Sequence, residues 1–99
     1  MTTEIQKTEG VTTIYIDGKL DANTAPELEN IISKEFETTK ELILDMQAVP
    51  YLSSAGLRVL LSTQKKMQKT GSLLIKNVCP GVMDIMEITG FADILTIEK

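Results

Sequence analysis

The sequence contains no histidine, no tryptophan and a single cysteine among its 99 residues. Without histidine the chain cannot supply a Ser-His-Asp triad, a histidine-ligated metal site or a phosphohistidine carrier. With one cysteine it cannot close an internal disulfide, and Cys79 is most simply a small apolar side chain. The phosphate-cradling motif G-x-x-x-x-G-K-[ST] is missing as well. We therefore expect no cofactor and no enzyme activity.

Long apolar runs and blocks of one charge are also missing. No segment reaches transmembrane length or has the pattern of a signal peptide, so we expect a cytoplasmic protein without membrane insertion. The net charge of −4 and the lack of a basic block argue against direct nucleic-acid binding. Lys65, Lys66 and Lys69 predict the solvent-exposed face of a helix. Length and an ordinary apolar fraction predict one globular domain over residues 1–99.

The first half of the chain carries strand and helix signals in a clear order. Residues 4–8 and 11–16 predict two strands that the Glu9-Gly10 pair joins into a hairpin. The stretch Thr24-Ala25-Pro26-Glu27 predicts a helix start, with Thr24 as the capping hydroxyl of a capping box. Residues 41–45 have an apolar centre, Leu42-Ile43-Leu44, without alternation, which predicts a strand covered on both faces.

The second half continues the alternation. Leucines at helical spacing from Leu57 predict a second helix that stops at Thr70-Gly71. Residues 73–75 predict another strand buried on both faces, and a third helix follows Pro80-Gly81. Gly90 is expected to end this helix in the left-handed conformation, and residues 94–97 are expected to form a last strand.

These elements give the order ββαβαβαβ. Each β-α-β unit requires a right-handed crossover between parallel strands. The predicted fold class is therefore α/β, with a mixed, mostly parallel sheet and an antiparallel edge. The chain is too short to cover both faces of that sheet, so the helices are expected mainly on one face.

Two serines, Ser53 and Ser54, stand at the predicted junction between the central strand and the second helix. Either hydroxyl can cap the helix, and capping alone would explain a serine here. Alternatively, a phosphate on one of them would lie where free N–H groups and the helix dipole favour an anion. Ala55 and Gly56 keep the surroundings small, so the active site of another protein could approach the hydroxyl.

Asp21 and Thr24 form a second candidate cluster, in the loop before the first helix. Asp21 can be an Asx-turn residue, or, as the family resemblance given below implies, it can contact a partner or orient the loop. Asp45, at the end of the central strand, is the rival for that role. A metal site would need three or more ligands, and these two carboxylates do not provide them; no metal site is expected.

The chain resembles the STAS-domain family of bacterial anti-sigma factor antagonists along essentially its whole length. The motifs that carry the resemblance are Gly18-Lys19-Leu20-Asp21 with Thr24-Ala25, Leu44-Asp45-Met46, Tyr51-Leu52-Ser53-Ser54-Ala55-Gly56-Leu57, Asn77-Val78 with Pro80, and Ile88-Thr89-Gly90-Phe91. The resemblance implies a STAS fold and a partner-switching role. The unmodified antagonist binds an anti-sigma factor that is also a serine kinase and so releases a sigma factor. The kinase phosphorylates the antagonist, which dissociates until a PP2C-type phosphatase restores it.

Carried onto this chain, the resemblance places the phosphoacceptor at Ser54. Many relatives have aspartate where Ser53 stands and a second hydroxyl where Ala55 stands, so Ser53 stays open as an alternative acceptor. Arg58, one turn after Ser54, either pairs with a phosphate there or is an ordinary exposed arginine. The residues expected at the partner surface are Asp21, Thr24, Ser53, Ala55, Gly56 and Arg58.

A second function is compatible with the same fold. The chain could be the STAS subunit of a transporter-associated or stressosome-type assembly. The sequence leaves open the sigma factor, the signal, and the identities of the kinase and phosphatase. It also leaves the oligomeric state open, with a monomer as the expectation.

Overall fold

The computed structural model describes residues 1–98, which form one five-stranded sheet with helices packed against it. The elements are β1 (Thr2–Thr8), β2 (Val11–Asp17), α1 (Ala25–Ser33), β3 (Glu41–Ala48), α2 (Ser54–Thr70), β4 (Ser72–Lys76), α3 (Pro80–Ile88), a short 3₁₀ helix (Phe91–Asp93) and β5 (Ile97–Glu98). The strands lie side by side in the order β1-β2-β3-β4-β5. The pair β1–β2 is antiparallel and the other three pairs are parallel. The predicted element order and mixed sheet are confirmed.

The antiparallel edge is a tight hairpin. Thr8 pairs with Val11 across the turn, and the two turn residues Glu9 and Gly10 both have positive φ, at 48° and 85°. Two consecutive positive φ values match the right-handed twist of the flanking strands, which is why short hairpins use this turn. Glycine adopts the second conformation without the Cβ cost. The Glu9-Gly10 turn is therefore confirmed.

The helices cover one face of the sheet. Ile14, Leu44 and Ile75 are neighbours across β2, β3 and β4, and all three are fully buried in the core. Buried residues of α1 and α2, including Leu28 and Leu60, belong to the same core. The expectation of helices mainly on one face is confirmed.

The opposite face of the sheet is uncovered, and here the expected burial of β3 and β4 on both faces is wrong. Burial in β3 alternates along the strand, and Ile43 and its neighbour Leu74 are only half-buried. Tyr15 on the same face is 39% exposed. An apolar run without alternation suggested two-sided burial, but the helical layer of so short a chain covers one side only.

The last strand begins later than predicted. Residues 94–97 were expected to pair, whereas among residues 1–98 the strand β5 covers Ile97–Glu98. Gly90 has φ 81°, the left-handed conformation expected of it, and leads directly into the 3₁₀ helix. The turn continues to Ile94, whose N–H donates to the Phe91 carbonyl over 3.1 Å, so the strand begins later.

Among the helices of residues 1–98, none is both long and apolar enough to cross a membrane. The longest, α2, has 17 residues.

Candidate functional site

Two loops meet at the edge of the sheet where the parallel strands end. Leu20 from the loop after β2 forms an isolated parallel bridge with Leu52 from the loop after β3. The Leu20 N–H donates to the Tyr51 carbonyl over 3.0 Å, and the Leu20 carbonyl accepts from the Ser53 N–H at 2.9 Å. Both leucines are buried. The segments before α1 and before α2 are thus one hydrogen-bonded unit, and the two candidate clusters predicted from the sequence lie together.

Gly56 allows the first turn of α2 to pack against this unit. A Cβ at Gly56 would lie 2.7 Å from Leu52 Cδ1 and 2.9 Å from the Leu20 carbonyl oxygen. Gly56 is buried. Its role in the structure is to let the first turn of α2 pack closely on the loops beneath the surface. Its direct contact with a partner stays a prediction.

The two serines have different roles at the start of α2. Ser53 has extended backbone, φ −90° and ψ 173°, and its Oγ accepts a hydrogen bond from the Gly56 N–H at 3.3 Å. Ser53 is therefore the N-cap. Ser54 is the first residue of the helix and is exposed. Its hydroxyl has no hydrogen-bond partner within residues 1–98, so it is available to a second protein.

The start of α1 is capped differently from the prediction. Asp21 Oδ1 accepts hydrogen bonds from the N–H groups of Asn23, at 2.9 Å, and Thr24, at 3.1 Å. The Thr24 hydroxyl turns back: it donates to the Lys19 carbonyl at 2.8 Å and accepts from the Asp21 N–H at 2.9 Å. Thr24 already has helical backbone and makes no side-chain cap bond. The prediction of Thr24 as the capping hydroxyl is wrong, because its oxygen is engaged with the Asp21 N–H and the Lys19 carbonyl and does not reach the amides of the first helical turn.

These contacts make Asp21 a fixed negative charge at the start of α1. The hydrogen bond from the Thr24 N–H, followed by that from Asn23, stabilises the carboxylate and lowers the pKa of Asp21 from its usual value of 3.8. The side chain occupies an Asx turn, one of the two roles predicted for it. Its carboxylate is committed to the loop, so Asp21 also orients this part of the surface.

A shallow cleft of about 330 Å³ lies between α1 and α2 and reaches Ala55, the residue after Ser54. Its lining includes Ala22 and Ala25 on one side and Ala55 and Arg58 on the other. Arg58 is exposed and has no carboxylate within 4 Å among residues 1–98. The structure thus brings Ala55 and Arg58 next to the Asp21 loop. The alanines before and inside α1 were missed from the sequence; their only signal is small size at a helix start.

Asp45 lies on the other face of the sheet. Its Oδ2 accepts from Asn77 Nδ2 at 2.8 Å and its Oδ1 accepts from the Gln47 N–H at 3.0 Å. Asn77 has φ 57°, a conformation that asparagine tolerates better than most residues. Asp45 was expected at the end of the central strand, but β3 continues to Ala48. Asp45 therefore links β3 to the residue after β4, and it does not line the cleft between α1 and α2.

Comparison with known proteins agrees with this geometry. The profile of the STAS domain matches residues 2–99. The anti-sigma-B factor antagonist of Staphylococcus aureus strain NCTC 8325 is 28% identical over 88 residues, which cover 87% of this chain and 82% of that protein. The crystal structure of an anti-sigma factor antagonist from Mycobacterium paratuberculosis has a TM-score of 0.89 at 28% identity, covering 98% of this chain and 84% of that one.

A transporter-related structure is also similar. The crystal structure of a sulfate transporter family protein from Wolinella succinogenes has a TM-score of 0.79 at 27% identity and covers 90% of this chain and 76% of that one. The same fold therefore occurs in proteins of two kinds. The match over residues 2–99 and the agreement in fold confirm the resemblance stated from the motifs: the chain belongs to the STAS-domain family.

Proposed function

We propose that the protein is an anti-sigma factor antagonist that captures a serine-kinase anti-sigma factor, releases a sigma factor, and is switched off when Ser54 is phosphorylated. The observation that carries this proposal is that Ser53 and Ser54 have different roles at the start of α2. Ser53 caps the helix, which leaves the exposed Ser54 hydroxyl without a structural task. The names of the Staphylococcus and Mycobacterium relatives support the antagonist role.

The charge at this position explains how a phosphate would act as a switch. The first turn of α2 contains no acidic residue, so Ser54 stands in an uncharged turn, with Arg58 one turn further along the helix. A phosphate would add about −1.5 to −2 charges there. The free N–H groups of the helix start stabilise such an anion, so the fold tolerates it. An acidic partner that docks closely at Ser54 would be repelled by this charge. A neutral partner would have to bury the phosphate away from water without pairing it.

The proposed partner surface consists of the joined loops and the start of α2. Asp21 and Thr24 shape one side, Ala55 and Arg58 the other, and Ser53 stands between them. Reversal of the switch requires hydrolysis of the phosphoserine, and we assign this to a PP2C-type phosphatase. Because its partners act on transcription, the proposed site of action is the cytoplasm.

The test is a pull-down of the kinase-type anti-sigma factor by wild type, Ser54→Ala and Ser54→Asp. Ser54→Ala is expected to bind as wild type does and to resist phosphorylation. Ser54→Asp adds a charge at the contact and is expected to bind at least about tenfold more weakly. Ser72→Asp is the matched control: Ser72 is exposed at the start of β4, away from the joined loops. Equal binding by all four proteins would contradict the switch.

Phosphopeptide mapping separates the two serines. After incubation with the kinase, the phosphate is expected on Ser54, and Ser53→Ala is expected to remain a substrate. A phosphate on Ser53, or none on either residue, would contradict the assignment.

The similarity to the Wolinella transporter family protein favours one second candidate, a STAS subunit of a transporter-associated assembly; a stressosome-type scaffold is the related possibility. Co-purification from the native cell distinguishes them. The antagonist proposal predicts a kinase of the ATPase type, whereas the alternatives predict membrane components or a large particle.

A further inference from the structure

A second groove lies at the far end of α2, between its last turns and the end of α1. It is an open groove of about 490 Å³ and is lined by Ser33, Phe36, Glu37, Lys66, Lys69 and Thr70. Fifteen residues separate Ser54 from Lys69 along the helix, which corresponds to about 22 Å at 1.5 Å per residue. This groove is therefore separate from the surface around Ser54, and a molecule bound in it would leave that surface free.

The groove combines an aromatic surface with positive charge. Phe36 is half-buried against the core, and the Lys66 ammonium lies 5.2 Å from the centre of its ring, within the range of a cation–π contact. Neither Lys66 nor Lys69 has a carboxylate within 4 Å among residues 1–98. Both lysines are exposed, so carboxylates of a ligand can reach them.

The positive charge is concentrated here although the protein as a whole is acidic. Lys34 follows the groove residue Ser33, and Lys65 precedes Lys66, so four of the ten basic residues lie at this end. Of the neighbouring acids, Glu35 is buried and paired with Lys7, which leaves Glu37 as the one acidic residue in the lining. The lining itself holds two lysines against one glutamate, so the groove is positively charged in a chain whose net charge is −4.

We infer that this groove is a docking site for an acidic segment of a partner protein that carries an aliphatic or aromatic anchor. The anchor would pack on Phe36, and carboxylates on either side of it would pair with Lys66 and Lys69. Charge complementarity selects this occupant. Nucleic acid fits less well, because it needs an extended basic surface and gains little from the phenyl ring. The acidic character of the remaining surface would repel a polyanion that extended beyond the groove.

The probe is a capped peptide in which Leu-Phe is flanked on both sides by Asp-Glu pairs, titrated into the full chain labelled with ¹⁵N. Amide shifts are expected to change at residues 33–37 and 66–70 and not at residues 53–58. Raising the salt from about 50 mM to about 500 mM is expected to weaken binding several-fold. Replacing Leu-Phe of the peptide by Ser-Ser is expected to abolish the shifts, since the anchor is lost.

The decisive variant is Lys66→Glu with Lys69→Glu, which reverses both charges on exposed positions and is expected to weaken binding at least about tenfold. Lys19→Glu with Lys76→Glu is the matched control. It changes the net charge equally, outside the groove, and is expected to bind within about twofold of wild type. Equal binding by the two double variants, or shifts outside the groove, would overturn the inference.

Two other occupants are tested in the same series. Sedimentation of the wild type with increasing protein concentration reports a second copy of the chain. Flotation with phosphatidylserine vesicles reports an anionic membrane. Self-association that the Lys66→Glu, Lys69→Glu variant abolishes, or vesicle binding without peptide binding, would overturn the assignment to an acidic protein segment.

Discussion

The two helix starts that meet at the joined loops look alike in sequence and differ in chemistry. Each has a hydroxyl residue directly before the helix, Thr24 for α1 and Ser53 for α2. At α2 the hydroxyl caps the helix, whereas at α1 it bonds back to its own loop and the Asp21 carboxylate binds the amides. A hydroxyl before a helix therefore does not identify the cap when a carboxylate stands three residues earlier.

The difference also separates the two helix starts by charge. The start of α1 carries permanent negative charge, with Asp21 in the turn and Glu27 in the first helical turn. The start of α2 has only neutral oxygens. Phosphorylation at Ser54 would give α2 the kind of anion that α1 already has. In the proposed switch, phosphorylation therefore places negative charge at the start of both helices, whereas the unmodified protein has it only at the start of α1.

The largest expected effect comes from a substitution at Gly56 that forces the first turn of α2 away from the loop before α1. In Gly56→Ala the new methyl group would collide with the Leu20 carbonyl oxygen, which is backbone and cannot rotate away. We expect the free energy of unfolding to fall by about 2 kcal/mol, measured by urea denaturation. The amides of Leu20 and Ser53, whose hydrogen bonds join the loops, are expected to exchange faster.

Gly81→Ala is the control for this substitution. Gly81 also lies in the first turn of a helix, α3, but a Cβ there would meet nothing within 4 Å. Alanine is expected to leave stability unchanged or raise it by up to about 1 kcal/mol, since it restricts the unfolded chain. If Gly56→Ala behaved in the same way, the joined loops would not depend on close packing at α2.

The same two starts show which features could be predicted from the sequence. The helix boundary at Ser53–Ser54 follows from a cap preference and helical spacing of leucines, which act over a few residues. The role of Thr24 could not be predicted, because its hydroxyl bonds to the Lys19 carbonyl and the Asp21 N–H, and only the folded loop brings these groups to it. Gly56 and Leu20 are in contact although they are 36 positions apart in the sequence. No local sequence pattern predicts a contact between residues so far apart.

A smaller effect is expected from removing the two hydroxyls. Ser53→Ala deletes a helix cap and should lower the free energy of unfolding by about 1 kcal/mol. Thr24→Ala deletes loop hydrogen bonds and should cost about the same. Hydrogen exchange distinguishes them: the Gly56 amide should lose protection in Ser53→Ala, whereas the Glu27 amide, the one that a Thr24 cap would bind, should exchange in Thr24→Ala as it does in wild type. Faster exchange at Glu27 in Thr24→Ala would restore Thr24 as the cap.

The smallest effect concerns the pH dependence of the α1 start. Because the folded-state pKa of Asp21 is lowered by its backbone hydrogen bonds, the folded protein binds fewer protons than the unfolded chain around the unfolded pKa of 3.8. The carboxylate therefore contributes stability that is complete above that value and is lost as pH falls through the folded pKa. Asp21→Asn keeps an oxygen that can accept from the amides but removes the titration.

We therefore expect the stability difference between wild type and Asp21→Asn to be constant from neutral pH to about pH 5 and to shrink below about pH 4. Urea denaturation across this range measures it, with Ser53→Ala as the control. Ser53 does not titrate, so the difference between wild type and Ser53→Ala should not change with pH. A difference between wild type and Asp21→Asn that was equally flat would show that the charge of Asp21 does not stabilise the start of α1. The contrast between the two helix starts would then be one of hydrogen bonding alone.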